Sequence, residues 1–373
     1  MINYIRVMKL NLNCGLIGLP MVGKTTIFNL LTGAGAQTSN FLTGRTETNV
    51  GAARLPDERV EYLSGLYQPR KTTYAQIQFS DVPGLVRGSS QGKGVGNQFL
   101  NAIRNVDMLT HVVRSFFNPD VPHVDDTINP LRDIETINME LLFADMEIIE
   151  KRIERIKSGK KVKKENLLEL EVLDKCLSAL ENEVSIGRLD LLPEEKLALK
   201  NYSFLTEKPL MLVINTDEEQ FNGKHYPGRE ELQAYATERG LPVLEVSGKI
   251  EMEICQLPEG DRELFLSDLG ITQSGIDRLA RAAYDYLGLI SFFTVGDDEV
   301  KAWTILKGTE ARKAAGKIHS DIERGFIKAE VVKYDDLKQM GSMARVKEKG
   351  MFRLEGKEYL VADGDVINFR FNI

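Results

Sequence analysis

Eight residues near the N-terminus have the types and spacing of a phosphate-binding loop. The run Gly18-Leu19-Pro20-Met21-Val22-Gly23-Lys24-Thr25 matches the pattern G-x-x-x-x-G-K-[ST], between a predicted strand, Leu10 to Ile17, and a predicted helix, Thr25 to Leu31. The glycines let backbone N–H groups converge on phosphate oxygens, the Lys24 ammonium meets the β- and γ-phosphates, and the Thr25 hydroxyl binds Mg²⁺. The predicted nucleotide contacts of this segment are Met21, Val22, Gly23, Lys24, Thr25 and Thr26.

A second short motif supplies an acidic partner for the metal. Asp81-Val82-Pro83-Gly84 follows the predicted strand Tyr74 to Phe79. An aspartate at this distance downstream of a phosphate loop is predicted to help hold Mg²⁺, and the glycine after it is predicted to contact the γ-phosphate. We therefore expect Thr25 and Asp81 at the metal, with Lys24 and Gly84 at the transferred phosphate.

Base recognition is expected at Asn215-Thr216-Asp217-Glu218, after the predicted strand Pro209 to Asn215. Guanine-specific proteins place Asn-Lys-x-Asp here, and the final aspartate accepts hydrogen bonds from guanine N1–H and the amino group. Glu218 is one methylene longer, and Thr216 lacks the aliphatic stem of lysine. The sequence favours ATP over GTP, and a guanine contact from a shifted Glu218 stays open as the alternative. The predicted base-site residues are Asn215, Thr216, Glu218 and, in the loop after the next short strand, Ser247.

The position after Gly84 holds Leu85, where Ras-like proteins carry the glutamine that orients the attacking water. An apolar side chain cannot orient water, so we expect slow hydrolysis that depends on another group, a backbone contact or a partner. His111, in the predicted strand Met108 to Phe116, is the nearest polar candidate for a catalytic role. The alternative is that His111 is a packed or surface residue of its strand.

The elements that must position these residues form an α/β pattern. Short apolar runs typical of buried parallel strands precede the motifs. From about 129 to 202 the pattern takes the helical period, rich in Glu, Lys and Leu, which predicts an inserted helical hairpin with a turn at Ser158-Gly159. The run Glu259 to Leu287 is again predicted to be helical. Past Ser291, short strands and glycine turns predict a small α+β module.

Composition is that of a globular protein with two or three domains. The chain has 373 residues, of which 42% are hydrophobic and 28% charged. The cysteines, Cys14, Cys176 and Cys255, are too far apart for a disulfide framework or a CxxC metal site, which fits a reducing cytosol. Signal-peptide and membrane-span patterns are missing. A net charge of −7 argues against coating nucleic acid, and we expect a cytoplasmic protein with no membrane and no sequence-specific DNA partner.

Four further segments resemble the YchF family, also called Obg-like ATPases. They are Gly84 to Ser90, Gly94 to Leu100, Ala302 to Ile305 and Ala314 to His319, and the resemblance covers nearly the whole chain. It implies a P-loop NTPase G domain with a mostly parallel sheet, an inserted α-helical coiled-coil domain and a C-terminal TGS domain of β-grasp fold. We expect the G domain at residues 1–129 and 206–290, the helical domain at 130–205 and the TGS domain at 291–373.

The same resemblance implies slow Mg²⁺-dependent ATP hydrolysis, binding to the ribosome (the large subunit or the 70S particle), and roles in translation and stress response. Family members favour ATP because their base motif is Asn-x-x-Glu, and Asn215 to Glu218 fits that form. The expected docking surface combines the TGS module with the helical hairpin and its basic stretch, Arg152 to Lys164. The alternative for the basic stretch is a solvated helix end.

Three positions depart from the family pattern. Met21 stands where members carry an asparagine that is linked in related GTPases to potassium binding, so a potassium requirement is not predicted. Arg45 replaces the Mg²⁺-binding threonine of the first switch segment. One alternative is that Thr43 or Thr46 takes the place of this threonine after a register shift. The other is that Arg45 itself contacts the γ-phosphate. Pro83 replaces alanine and should stiffen the loop that carries the aspartate.

Three functional hypotheses follow. An ATPase switch would order its loops around γ-phosphate and Mg²⁺ and release them on hydrolysis. A ribosome-binding module would act through occupancy, with incidental hydrolysis. A GTP-specific GTPase would differ from the first in the base alone. The first hypothesis is the prediction, and the other two stay open.

Overall fold

A computed structural model of the chain describes residues 12–36, 48–85, 95–159 and 165–372. The chain divides into two compact units. One comprises Asn13–Gly51 and Gln78–Ile276, and the other comprises Met1–Leu12, Ala52–Ile77 and Asp277–Ile373. Some predictions fall outside the described residues: those on Thr43, Arg45 and Thr46, on residues 160–164 of the basic stretch, and on residues 86–94, which include parts of the segments Gly84 to Ser90 and Gly94 to Leu100.

Strands and helices alternate through the first half of the chain, and a second group of strands follows. The strands are β1 Asn13–Ile17, β2 Asn49–Arg54, β3 Lys71–Thr73, β4 Gln76–Asp81, β5 Met108–Arg114, β6 Leu210–Asn215, β7 Val243–Val246, β8 Leu289–Thr294, β9 Glu299–Leu306, β10 Phe326–Lys333, β11 Arg353–Glu355 and β12 Asp365–Phe371. The helices are α1 Lys24–Thr32, α2 Glu58–Tyr67, α3 Val95–Arg104, α4 Pro130–Lys157, α5 Glu165–Glu181, α6 Pro193–Leu199, α7 Glu218–Gly223, α8 Arg229–Arg239, α9 Gly248–Gln256, α10 Glu259–Asp268, α11 Gly275–Tyr286, α12 Ala311–Ile318, α13 Ser320–Arg324, α14 Tyr334–Met340 and α15 Met343–Glu348.

The first sheet has the strand order β2-β4-β1-β5-β6-β7. β1 pairs in parallel with β4 and β5, and β6 pairs in parallel with β5 and β7. Every residue of β5 is buried, as expected for a parallel strand that is covered on both faces. Because parallel strands point the same way, the segments at the carboxyl ends of β1, β4, β6 and β7 meet at one edge of the sheet. Those segments carry the motifs, and the predicted α/β fold is confirmed.

The helices α4, α5 and α6 form the inserted helical hairpin with a core of its own, which includes Ile149, Val172 and Leu173. The Asp145 carboxylate, fully buried on α4, connects this helix to the segment that follows the insertion. It accepts hydrogen bonds from the backbone N–H of Leu205 at 3.0 Å and from the N–H and hydroxyl of Thr206, both at 2.8 Å. These hydrogen bonds hold the segment that leads from the insertion to β6 against α4.

The second sheet has the order β11-β10-β12-β8-β9-β3. β3 precedes β4 in the sequence and pairs in parallel with β9, with Lys71 opposite Glu299 and Thr73 opposite Lys301. Helix α12 packs Ala311, Ala314 and Ala315 into the core of this module. The α+β C-terminal module is confirmed, and its compact unit also takes in residues 52–77. The exact domain boundaries given above stay predictions.

Two findings concern the helices. The run Glu259 to Leu287, predicted as helical, consists of α10 and α11, and Gly270 between them has a φ of 67°. This left-handed conformation is a common way for a helix to end. Among residues 12–36, 48–85, 95–159 and 165–372, no helix has both the length and the apolar character that a membrane span needs.

Candidate nucleotide site

The phosphate loop between β1 and α1 depends on two glycines with positive φ angles. Gly18 has a φ of 144° and Gly23 a φ of 97°, which residues with a Cβ adopt only with strain. A Cβ on Gly18 would lie 2.3 Å from the carbonyl oxygen of Val112, and one on Gly23 would lie 2.4 Å from Nδ2 of Asn215. Both the backbone conformation and the close neighbours therefore require glycine at these two motif positions.

Met21 also has a left-handed backbone, with a φ of 65°. For an L-residue with a side chain, this conformation costs about 1 kcal/mol relative to the right-handed one, and asparagine tolerates it better. The thioether of Met21 is a weak acceptor and offers no oxygen to an alkali cation. The left-handed backbone gives a physical reason for the asparagine that the family resemblance implies at this position.

Lys24 begins α1 and is only 7% exposed. Its Nζ donates hydrogen bonds to the carbonyl oxygens of Gly18, at 3.1 Å, and Leu19, at 2.6 Å. The ammonium is therefore held against the backbone of the phosphate loop. The N-terminus of α1 carries a partial positive charge as well, so an anion in this loop would meet two sources of positive potential.

The two predicted Mg²⁺ residues are in direct contact. The Thr25 hydroxyl donates a hydrogen bond of 2.9 Å to Oδ2 of Asp81, whose side chain is buried at the end of β4. An alcohol oxygen and a carboxylate oxygen are hard ligands of the kind that Mg²⁺ prefers, and Mg²⁺ commonly completes its octahedron with water and phosphate oxygens. The donor set at this point of the fold therefore fits Mg²⁺.

Gly84 lies directly against the phosphate loop. A Cβ on Gly84 would lie 2.8 Å from the backbone nitrogen of Pro20, so this approach requires glycine. The next residue, Leu85, donates its backbone N–H to the carbonyl oxygen of Gly18 at 3.1 Å, and its side chain is fully buried. The two motifs of the sequence are thus bonded to each other, and the Leu85 side chain packs in the interior.

Asn215 braces three segments with one amide group. Its Nδ2 donates to the carbonyl oxygen of Val22 at 3.0 Å, and its Oδ1 accepts from the backbone N–H of Gly248 at 3.1 Å. The side chain is buried at the end of β6. Sequence reasoning predicted a base contact for Asn215 and missed this bracing role, which fixes the phosphate loop relative to the start of α9.

Three of the other predicted contacts lie close to this brace. Thr216 donates its backbone N–H to the carbonyl oxygen of Val246 at 2.9 Å, and Ser247 caps α9 by accepting from the N–H of Ile250 at 3.5 Å. The methyl group of Thr26 lies 3.7 Å from the place that a Cβ on Gly248 would take. Thr216 and Ser247 are buried and bond the protein's own backbone, so their described contacts organise the site's framework.

The two acidic residues after Thr216 have different surroundings. Asp217 accepts from the backbone N–H of Gln220 at 2.8 Å and so caps α7. Glu218 begins α7, its side chain is 53% exposed, and its Oε2 lies 3.5 Å from Nζ of Lys249 on α9. The Glu218–Lys249 contact was missed by sequence reasoning because the two residues lie in the first turns of different helices. The only sequence signal was the place of Lys249 directly after Ser247-Gly248.

His111 lies on β5 opposite Ile17, one residue before the phosphate loop. It is 1% exposed, and its Nδ1 is buried without a hydrogen-bond partner among the described residues. Burial, and after it the charge of Lys24, lower the pKa of His111 to about 3, so the ring is neutral at pH 7. A buried imidazole of such low basicity is a poor proton acceptor, which argues against the predicted catalytic role and favours the packed-residue alternative.

A parallel sheet whose edge gathers a glycine-rich phosphate loop, a buried Thr–Asp pair and an asparagine brace defines a P-loop nucleoside triphosphatase. Comparisons with family models agree. A model described as a 50S ribosome-binding GTPase matches residues 13–149. A second, the YchF GTPase C-terminal model, described as a protein of unknown function, matches residues 289–372.

Full-length relatives place the chain more narrowly. It is 45% identical over 366 residues to the ribosome-binding ATPase YchF of Bacillus subtilis, a match that covers 97% of this chain and 100% of that protein. It is 43% identical over 361 residues to the protein of the same name from Escherichia coli O157:H7, covering 96% of this chain and 99% of that one. The chain belongs to the YchF family.

Solved structures support the same fold. The YchF GTPase of Schizosaccharomyces pombe superposes with a TM-score of 0.82 at 27% identity, covering 96% of this chain and 98% of that one. A GTP-binding protein from Pyrococcus horikoshii gives a TM-score of 0.59 at 20% identity, covering 97% and 100%, which supports the fold alone. The sequence-based recognition of the family and of its fold is therefore confirmed.

Proposed function

We propose that this chain is a Mg²⁺-dependent ATPase that acts as a slow nucleotide switch on the ribosome. The observation that carries the proposal is the 2.9 Å contact between Thr25 and Asp81 at the end of a glycine-built phosphate loop. Thr25 and Asp81 would hold Mg²⁺, which neutralises charge on the phosphates when bound. Lys24 and the backbone N–H groups of Val22 and Gly23 would bind phosphate oxygens, and the backbone at Gly84 would approach the γ-phosphate.

Adenine is the proposed base. Both polar atoms of the Asn215 amide are hydrogen-bonded, to Val22 and to Gly248, so Asn215 shapes the edge of the pocket. The solvent-exposed carboxylate nearby is that of Glu218. Glu218 is longer than the aspartate that reads guanine in GTPases and can rotate about one more bond, which weakens the discrimination in favour of guanine. The relatives from Bacillus subtilis and Escherichia coli are named ATPases, which supports the same choice.

Hydrolysis is proposed to be slow. Leu85 is buried and apolar, and the lowered pKa of the buried His111 makes it a poor proton acceptor, so we assign the activation of water to neither residue. Catalysis then rests on charge and positioning by Lys24, Gly84 and the metal pair, without a general base from these residues. An external group supplied by a partner would raise the rate, as arginine fingers do in related P-loop enzymes.

The ribosome is the proposed partner because the relatives carry that partner in their names. In the described part of the basic stretch, two cations are paired with acidic side chains. Arg152 donates two hydrogen bonds of 2.9 Å to Glu169, and Lys157 lies 3.8 Å from Asp174. We therefore assign docking to the hairpin and the C-terminal module together, and each lysine–phosphate contact should make the binding salt-dependent.

Three measurements test the proposal. Purified full-length chain is titrated with labelled ATP and GTP in Mg²⁺, and steady-state phosphate release is followed with each nucleotide. The same chain is pelleted with 70S ribosomes at two salt concentrations, with and without ATP. Tighter binding of GTP than of ATP would overturn the choice of base. Pelleting that is indifferent to nucleotide would favour a binding module over a switch.

A further inference from the structure

The Glu218–Lys249 pair lies beside the proposed base site, and the function proposed above assigns no role to Lys249. Glu218 is the first residue of α7, and Lys249 is the second residue of α9. The hydrogen bond from Gly248 N–H to Asn215 Oδ1, at 3.1 Å, holds the starts of these two helices next to each other. The pairing is therefore set by the same brace that positions the phosphate loop.

Both partners are open to solvent and so can be reached by a nucleotide base. The side chains of Lys249 and Glu218 are 65% and 53% exposed, and Nζ lies 3.5 Å from Oε2. The neighbouring Asp217 is committed elsewhere, because its carboxylate caps α7 through the N–H of Gln220 at 2.8 Å. Within Asn215 to Glu218, the carboxylate that can meet a base is that of Glu218.

We propose that Lys249 is a specificity-determining residue for the base, which acts by occupying the Glu218 carboxylate. Guanine needs that carboxylate, since its N1–H and amino group both donate to one acidic side chain. The Lys249 ammonium, 3.5 Å from Oε2, competes with guanine for this carboxylate, and guanine must displace it. Adenine has a single donor group on this edge, beside an acceptor nitrogen, and loses less from the competition. The proposal rests on the proposed function, because it assumes that a purine nucleotide binds here.

The experiment measures the ratio of the Kd for mant-GTP to the Kd for mant-ATP on the full chain in Mg²⁺. Lys249→Met keeps the aliphatic stem and removes the charge, and it should lower this ratio about two- to fivefold, the range expected for an exposed ion pair. Lys249→Arg restores a cation and should return the ratio toward that of the unsubstituted chain. Thermal unfolding of each variant shows whether the exposed site still folds.

A double-mutant cycle separates the proposed mechanism from a direct contact between Lys249 and the base. In the Glu218→Gln chain the carboxylate is gone, so Lys249→Met should leave the ratio unchanged. A ratio that does not respond to Lys249→Met in the unsubstituted chain would overturn the proposal, and so would an equal response with and without Glu218. If the unsubstituted chain bound neither nucleotide, the proposed function itself would fail, which is a different outcome from a fixed ratio.

Discussion

The Thr25 hydroxyl donates a hydrogen bond of 2.9 Å to Oδ2 of Asp81, two residues that are 56 positions apart in the sequence. The contact follows from the register of the sheet, in which Leu16 of β1 stands opposite Asp81 of β4. The phosphate loop leaves the end of β1 and brings Thr25 over the end of β4. The protein's own strand pairing therefore brings together the two oxygen donors assigned to Mg²⁺.

Replacement of Asp81 by asparagine should weaken the metal site with little effect on the fold. The amide oxygen introduced by Asp81→Asn would still accept the Thr25 hydrogen bond, but the amide lacks the negative charge that attracts a divalent cation. We expect Mg²⁺-dependent ATP hydrolysis to fall about 10- to 100-fold. A Mg²⁺ titration of phosphate release measures the effect, and the half-maximal Mg²⁺ concentration should rise.

Asp268→Asn is the matched control, because Asp268 is an exposed aspartate at the end of α10. It removes the same charge from the chain at a place that carries no motif. Its Mg²⁺ titration should coincide with that of the unsubstituted chain. Equal Mg²⁺ curves for Asp81→Asn and Asp268→Asn would contradict the assignment of Asp81 to the metal.

Met21→Asn should stabilise the nucleotide-free protein. The left-handed backbone at Met21, with a φ of 65°, is more favourable for asparagine than for methionine, and the gain should be about 0.5 to 1 kcal/mol in the free energy of unfolding. Urea unfolding measures it. Met252→Asn is the control, since Met252 lies in the right-handed helix α9 and should lose about 0.5 kcal/mol. Destabilisation by both substitutions would count against the backbone explanation.

His111 should make the protein less stable in mild acid. Its pKa of about 3 in the folded state lies below the ordinary value of 6.5, so the unfolded chain binds a proton that the folded chain does not. The folded state keeps its full stability above pH 6.5 and loses it as the pH falls from 6.5 toward 3. Between pH 7 and pH 5 the loss should be about 2 kcal/mol.

His111→Leu tests this directly, because leucine fills a similar volume and carries no titratable group. The difference in unfolding free energy between His111→Leu and the unsubstituted chain should grow as the pH is lowered from 7 to 5. His225→Leu, at an exposed histidine, should show no such growth. If ATP hydrolysis were abolished at pH 7 by His111→Leu in a folded chain, the packed-residue interpretation would be wrong.

The phosphate loop, Asp81 and Asn215 could be predicted because each motif directly follows an apolar strand pattern. Parallel strands then bring such segments together whatever lies between them. The pairing of β3 with β9 could not be predicted. β3 is a three-residue polar run, Lys71–Thr73, and its partner lies far along the chain, as in the 2.6 Å hydrogen bond from Thr73 to Glu299, 226 residues away. No local pattern marks such a contact.

The environment of single polar residues was also beyond sequence reasoning. His111 lies in a strand that is buried on both faces, and its pKa depends on Lys24, which reaches it only through the fold. The Glu218–Lys249 pair depends on the bond between Asn215 and Gly248. Motif spacing predicts which residues surround a phosphate. The burial, pKa and ion pairs of each residue depend on contacts between segments that are distant in the sequence.

Arg59 should be a strong stabiliser of the unit that contains the C-terminal sheet. Its guanidinium bonds Asp57 at 2.8 and 2.9 Å and Asp363 at 2.7 Å, and Asp363 in turn accepts from the N–H of Ser291 on β8 at 2.8 Å. Burial alone would lower the pKa of Arg59, but the hydrogen bonds to Asp57 and Asp363 raise it. This pattern indicates a cation that is well compensated by its acidic neighbours.

Arg59→Ala leaves the nearly buried Asp57 carboxylate without its cation and should lower the free energy of unfolding by about 2 kcal/mol. Arg59→Lys should recover only part of this, because an ammonium cannot bond both carboxylates in the same fork geometry. Arg70 provides the control. Its pair with Asp298 spans 3.2 Å with both side chains more than four-fifths exposed, so Arg70→Ala should change stability by less than about 0.5 kcal/mol. Urea unfolding followed by Trp303 fluorescence reports on this unit, and equal losses for Arg59→Ala and Arg70→Ala would show that Arg59 is no more than a surface charge.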